Sequence, residues 1–128
     1  MLLPILQAAA SQSPKDVGPR VQLGNIYFDA ERYDDAITWY SQAMAINPRD
    51  VNVSTDLGVC FYYTNQPDKA LAQFDQSLKI DPKHAKTLLN QGIVRAFGKQ
   101  DLEGAQTDRK STRLNSSHSQ QSRMPSSA

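Results

Sequence analysis

The sequence predicts an all-α fold, an α-solenoid built from antiparallel helical hairpins. The first observation is a set of prolines and glycines that recur with a 34-residue period: Pro14, Pro48 and Pro82, and Gly24, Gly58 and Gly92. The second is that apolar residues recur at helical spacing between them. The third is that breaks in this apolar pattern divide each 34-residue stretch into two helices. A fixed period of this length indicates a repeat architecture.

The unit at 49–82 shows where each helix begins and ends. Asp50 stands just before the first apolar stripe, and its carboxylate can cap that helix by accepting a backbone N–H. Asn65-Gln66-Pro67 breaks the stripe, and Pro67 is tolerated in the first turn of the next helix. Asp81-Pro82 ends the second helix, since the residue before a proline avoids the α region. Neither helix can bury its stripe alone, so we expect them to pack as a hairpin.

Two of the recurring glycines lie in the middle of predicted first helices. Glycine there costs about 1 kcal/mol relative to alanine. The apolar pattern continues through Gly24 and Gly58, so neither residue ends its helix. We therefore expect them where two helices approach closely, with Tyr27 or Phe61 filling the space one turn later, against Ala36 or Ala70.

The same pattern maps the rest of the chain into units. Residues 1–14 are predicted to be the remnant second helix of an earlier unit, and 83–107 a partial third unit whose second helix starts around Leu102. The complete units are 15–48 and 49–82. The predicted helices are 2–12, 17–30, 33–46, 51–64, 67–80 and 85–98.

The residues that recur in phase in the two complete units carry a resemblance. They are Leu23-Gly24, Tyr27, Ala36, Tyr40, Ala43 and Pro48 in the first unit, and Leu57-Gly58, Phe61, Ala70, Phe74, Ser77 and Pro82 in the second. This pattern resembles the tetratricopeptide repeat family, which implies a right-handed solenoid. An aromatic residue often opens the first helix in that family. Arg20, Ser54 and Leu88 stand there instead, and we expect weaker packing at that end of each unit.

The repeat pattern stops after Thr107. Residues 108–128 hold four of the fourteen basic residues and one of the thirteen acidic ones, which leaves residues 1–107 with a net charge of −2. By composition the segment is predicted to be a disordered tail. Asp108–His118 and Ser122–Ala128 also match the translation of a common short-read sequencing adapter. We therefore predict that 108–128 is an adapter-derived artefact, which a genomic reading frame encoding it would contradict.

Few residues invite a chemical role. The overall net charge is +1, which argues against a strong field for nucleic acid or a membrane surface. Cys60, the single cysteine, is expected to be a buried structural thiol. His84 is expected to be a solvated turn residue, since one imidazole does not define a metal or catalytic site. The sequence thus predicts no enzyme, no cofactor, no metal site and no membrane span.

In the tetratricopeptide family the first helices line a concave groove, and the resemblance implies which residues would contact a partner there. They are Gln22, Asn25, Phe28, Asn52, Thr55, Asp56, Tyr62, Tyr63, Lys86 and Asn90, with Val59 and Phe97 beside them. Amide side chains can hold the backbone of an extended peptide, and tyrosine can stack and donate a hydrogen bond. For Tyr62 and Tyr63, ordinary packing against the next unit is an equal alternative.

One subfamily clamps the carboxylate at the end of chaperone tails with lysine and asparagine residues. Asn25 and Lys86 fit that clamp. Val21, Asp56 and Asn90 stand where lysine, asparagine and arginine would be needed, and Asp56 would repel a carboxylate. The resemblance therefore does not extend to a chaperone-tail clamp.

The sequence predicts a protein-interaction scaffold that binds a peptide or protein partner in this groove. Two alternatives stay open, a docking arm of a larger enzyme and a module that self-associates weakly through exposed terminal repeats. The identity of the partner and the compartment are not encoded in the pattern, although the cytoplasm is slightly favoured.

Overall fold

The computed structural model of the chain describes the backbone of residues 2–102 and the side chains of residues 2–98. Six helices make up this part of the chain. They are α1 (Leu2–Gln12), α2 (Val17–Asp29), α3 (Tyr33–Ile46), α4 (Val51–Tyr63), α5 (Pro67–Ile80) and α6 (Ala85–Leu102). The predicted all-α fold is confirmed, and the first five helices begin at the predicted residues and end within one residue of the predicted ends.

The helices pack in chain order. Each one contacts the next along the sequence, and α4 also contacts α6. Helices α2 and α3 form one hairpin, and α4 and α5 form the next. The contact between α4 and α6 brings the first helices of neighbouring units together, as in a solenoid of stacked hairpins.

Hydrogen bonds at the helix ends explain these boundaries. The carboxylate of Asp50 accepts from the backbone N–H groups of Asn52 and Val53, each at 3.1 Å, which confirms the predicted cap. Glu31 and Asn65, which occupy the same position in successive units, adopt positive φ values of 60° and 63°. This left-handed conformation ends α2 and α4 in the same way and turns the chain into the second helix of each hairpin.

The close approach at the glycines is confirmed, and the ring that fills the space belongs to the second helix. A Cβ atom at Gly58 would lie 2.5 Å from Cε1 of Phe74, and one at Gly24 would overlap the ring of Tyr40 in the same way. Tyr40 and Phe74 are fully buried. Glycine therefore lets each ring lie directly against the backbone of the first helix.

Arg20 stands where the tetratricopeptide family often has an aromatic residue, and the expectation of weaker packing is wrong at this position. Its side chain is buried and donates to the carbonyl oxygens of Ala10, Ser13 and Asp16 at 3.0–3.2 Å, and to Oε1 of Gln42 at 3.2 Å. Ala10 lies in the last turn of α1, whose carbonyls have no partner within the helix. The guanidinium group supplies a partner for the Ala10 carbonyl and joins α1 to α2 and α3.

Helix α6 departs from the prediction at its C-terminal end. It continues to Leu102, where a second helix was expected to start after a turn. Lys99 and Gln100 favour helix, and they replace the Asn65-Gln66-Pro67 sequence that ends α4. The rest of the predicted third unit, together with the tail at 108–128 and its adapter match, lies outside the described residues.

Candidate partner-binding site

The residues predicted for the concave groove all lie on the first helices α2, α4 and α6. Two pairs of side chains join α4 and the N-terminal end of α6 on this side. The hydroxyl oxygens of Thr55 and Thr87 are 2.7 Å apart, and Nε2 of His84 lies 3.2 Å from Oδ1 of Asn52. The first helices of adjacent units are therefore held side by side.

Five of the predicted residues keep surface that a partner could contact. Gln22 and Asn52 are exposed, and Asn25, Tyr63 and Lys86 are half-buried. Asn25 also accepts a hydrogen bond of 2.6 Å from the hydroxyl of Tyr40, which fixes the orientation of its amide group. This set spans all three first helices and contains one cation and no carboxylate.

The other predicted residues are buried, apart from Phe97, which is 37% exposed. Thr55 and Asn90 are fully enclosed, and Asp56 keeps 2% of its surface. The buried members, which also include Phe28, Val59 and Tyr62, pack within and between the hairpins. In the described part of the chain they shape the surface from beneath and offer little area to a partner.

His84 is not the solvated turn residue that the sequence predicted. The side chain is half-buried, and its Nδ1 lies 2.7 Å from the hydroxyl of Thr87. The Thr55 hydroxyl donates to the carbonyl of Val51 at 2.7 Å and pairs with the Thr87 hydroxyl, which pairs in turn with His84 Nδ1. This chain of hydrogen bonds fixes the side chains at the junction of α4 and α6.

The adjacent tyrosines at the end of α4 have different surroundings. Tyr62 is buried, and its hydroxyl has no hydrogen-bond partner among the described residues. Tyr63 stacks on Tyr33 of the preceding hairpin, with ring centroids 4.7 Å apart and an interplanar angle of 25°. Tyr62 is therefore a packing residue and does not line the groove, whereas Tyr63 lies at the edge of the solenoid between two hairpin turns.

A cleft of about 480 Å³ opens at that edge, between the α2–α3 turn and the α4–α5 turn. Both turns line it, and so do the rings of Tyr33 and Tyr63. No sequence pattern indicated this cleft. Tyr33 and Tyr63 are separated by less than one full repeat and are out of phase with it, so the period could not have paired them.

Two acidic groups beneath the concave surface are held in their protonated forms. Burial, and then the charge of Asp56, raise the pKa of the Cys60 thiol well above its ordinary value of 9.0. The same causes raise the pKa of the Tyr40 hydroxyl. A fully buried, protonated thiol is a poor nucleophile. Cys60 is therefore a structural residue, as the sequence predicted.

Two searches cover the described residues alone. No three of their histidine, cysteine, aspartate and glutamate side chains come together as the ligands of a metal ion would. Among the helices from α1 to α6, none combines the length and apolar character that a membrane crossing requires.

Comparison with known proteins identifies the family. A family model described as tetratricopeptide repeat matches residues 19–83, about half of the chain. The chain therefore belongs to the tetratricopeptide repeat family, as its 34-residue pattern indicated. Repeats of this family generally mediate protein–protein interactions, and the fold is typically non-catalytic. No curated protein matches the sequence significantly.

Proposed function

We propose that this protein is an interaction scaffold whose concave surface, formed by α2, α4 and α6, holds an extended segment of a partner protein. The observation that carries the proposal is the set of accessible amide and ammonium groups on these three helices. Gln22 and Asn52 are exposed, and Asn25 and Lys86 are half-buried. Amides donate to and accept from a peptide backbone, and lysine donates to carbonyl or carboxylate oxygens.

Side chains next to these polar groups fix their orientation before a partner binds. Tyr40 orients the amide of Asn25, and His84 contacts Asn52 while it bonds to Thr87. Side chains whose geometry is already fixed lose less conformational freedom when a partner binds. A partner segment would therefore meet polar groups that are largely in place.

Selection from a random peptide library displayed on phage tests this function, followed by calorimetry on the enriched peptides. In the test variant Gln22 and Lys86 are both replaced by alanine. The control carries Gln76→Ala and Lys79→Ala, the same pair of residue types at exposed positions of α5. We expect a roughly tenfold or larger loss of affinity in the test variant, because two polar contacts contribute ~1 kcal/mol each. Equal affinity in the two variants would contradict a groove on the first helices.

Self-association is a second candidate function, favoured by exposed apolar side chains on α1 and α6. Ile5 is 65% exposed, and Leu88 and Leu89 are 47% and 49% exposed. Sedimentation at several concentrations tests it, with Leu89→Ser as the variant. A sedimentation coefficient that stays constant over a hundredfold range of concentration would exclude this function.

A further inference from the structure

The cleft between the two hairpin turns has the chemistry of a binding site that the repeat pattern does not include. It is lined by residues 31–35, from the α2–α3 turn and the start of α3, and by residues 63–65, from the end of α4 and the turn after it. Its volume of about 480 Å³ falls within the ~300–1,000 Å³ that is usual for ligand sites. The cleft lies at the edge of the solenoid, where the first helices end, and so extends beyond the concave surface itself.

The aromatic side of the cleft is held in place by ring contacts. Tyr33 stacks on Tyr63 at 4.7 Å and meets the ring of Phe28 edge-on at 5.4 Å. Tyr62 contacts Tyr63 in turn, with ring centroids 5.6 Å apart. Phe28 and Tyr62 are both buried, so the two rings that line the cleft rest on the core. They offer a fixed aromatic surface at little entropic cost to a ligand.

The charged side of the cleft is acidic. Glu31, Asp34 and Asp35 line it together with a single basic residue, Arg32. The guanidinium of Arg32 is already engaged, because it lies 2.7 Å from Asp35 and also over the ring of Tyr27 at 5.2 Å. The lining therefore carries a net charge of −2, with the carboxylates of Glu31 and Asp34 left to attract a cation.

We propose that this cleft binds a basic side chain, arginine above all, of a partner protein that runs along the turn edge. A guanidinium group is flat and weakly hydrated, stacks on tyrosine rings and pairs with carboxylates through several N–H donors. An anion would meet net negative charge, and an aliphatic side chain would leave the carboxylates without a partner. The combination of aromatic wall and carboxylates is what selects the cation.

This site goes beyond the concave surface proposed above. It shares with that surface the assumption of a protein partner and one predicted groove residue, Tyr63. The two sites also have separate residues that can be changed. Gln22 and Lys86 do not line the cleft, and Glu31 and Asp34 do not lie among the predicted groove residues. Either proposal can therefore fail while the other holds.

The test is a titration of the ¹⁵N-labelled protein with acetyl-Gly-Ser-Arg-Ser-Gly-amide, followed by two-dimensional NMR. A matched peptide carries citrulline, a neutral analogue of the same shape, in place of arginine. We expect the arginine peptide to shift the amide signals of residues 31–35 and 63–65. We expect the citrulline peptide to bind several-fold more weakly, and added salt to weaken the arginine peptide as it screens exposed charges.

Matched variants assign the effect to the cleft. Glu31→Gln with Asp34→Asn removes both available charges and keeps the side-chain shapes. Asp68→Asn is the control, because Asp68 is the equivalent of Asp34 in the next unit, is exposed in the first turn of α5 and does not line the cleft. We expect the double variant to bind the arginine peptide roughly two- to thirtyfold more weakly, since each exposed ion pair contributes modestly.

Three results would overturn the proposal. They are equal shifts with the citrulline peptide, an equal loss in Asp68→Asn, and an absence of shifts at residues 31–35 and 63–65 at millimolar peptide. The spectrum of each variant reports whether the protein is folded, so a loss of binding is not confused with unfolding. Shifts confined to α2, α6 and the part of α4 before Tyr63 would support the concave surface and refute the cleft.

Discussion

Replacing Gly58 by alanine is the sharpest test of how the hairpins pack. The new methyl group would lie 2.5 Å from Cε1 and 2.7 Å from Cδ1 of Phe74, where carbon atoms normally keep ~3.5–4.0 Å apart. The ring is fully buried and cannot swing into solvent. It must therefore move by about 1 Å within a packed core, or the two helices must separate.

The expected change in stability follows from two opposing effects. Overpacking of this kind costs ~1–3 kcal/mol, and a severe overlap with a buried ring falls near the upper end. Alanine in place of glycine stabilises a helix by about 1 kcal/mol, which raises the free energy of unfolding by that amount. We therefore expect Gly58→Ala to lower the free energy of unfolding by ~2 kcal/mol, a large part of the ~5–15 kcal/mol of an ordinary domain.

Urea unfolding followed by circular dichroism at 222 nm measures this change. The matched control is Gly92→Ala, because Gly92 has the same phase in the repeat but no described atom within 4 Å of an added Cβ. That variant should gain up to ~1 kcal/mol from helix propensity alone. The two variants should therefore differ by ~3 kcal/mol, on opposite sides of the original protein.

A variant with a smaller partner side chain checks the cause. In Gly58→Ala with Phe74→Leu, the methyl group meets a side chain that can give way. The double variant should lose less stability than the two single variants together, as neighbours that share space are not additive. A Gly58→Ala protein as stable as the original would refute the packing argument at its first step.

Three further predictions concern polar groups. Arg20→Met should lower the free energy of unfolding by about 2–3 kcal/mol and speed hydrogen exchange in α1. The carbonyl of Ala10 in the last turn of α1, and those of Ser13 and Asp16 after it, would lose a charged donor; unchanged exchange would contradict it. In the unfolded chain the Cys60 thiol has its ordinary pKa of 9.0, whereas in the folded protein burial raises that pKa and the thiol keeps its proton. The free energy of unfolding therefore falls above pH 9, by up to ~1.4 kcal/mol per pH unit. Urea unfolding from pH 7 to 10 should show a shallower fall in Cys60→Ala, and equal slopes would oppose the argument. Thr87→Val should cost ~1–2 kcal/mol in the same assay, because His84 Nδ1 and the Thr55 hydroxyl both lose their shared partner; no change would show that this chain of hydrogen bonds contributes little.

Much of the fold could be predicted from local signals. Asp50 caps α4, and Pro67 starts α5, because each acts on backbone groups within a few residues of itself. Helix α6 continues past its predicted end at residue 98, because Lys99-Gln100-Asp101 stands where Asn65-Gln66-Pro67 stops the equivalent helix of the unit before. A boundary is predictable where the sequence contains a residue that enforces it, and uncertain where helix-forming residues simply continue.

The candidate site was less predictable. The repeat phase correctly assigned Gln22 and Lys86 to the first helices, and both keep accessible surface. Phase alone could not tell these residues from Thr55, which is fully buried against Thr87. Exposure depends on how closely α4 and α6 approach, and that distance is set by side chains of both helices together. The repeat phase therefore predicts which helix carries a residue, but it does not predict whether that residue is exposed.

The sequence by itself determined the 34-residue period, the hairpins it encodes and the glycines that the buried rings require. These features repeat along the chain, so they can be recognised without knowing which residues meet in space. The tertiary structure decided the rest. It turned Arg20 into a cap for α1 and stacked Tyr63 on Tyr33 at the edge of an acidic cleft. The residues joined by these contacts are not one repeat apart, and only the packing of the folded helices brings them together.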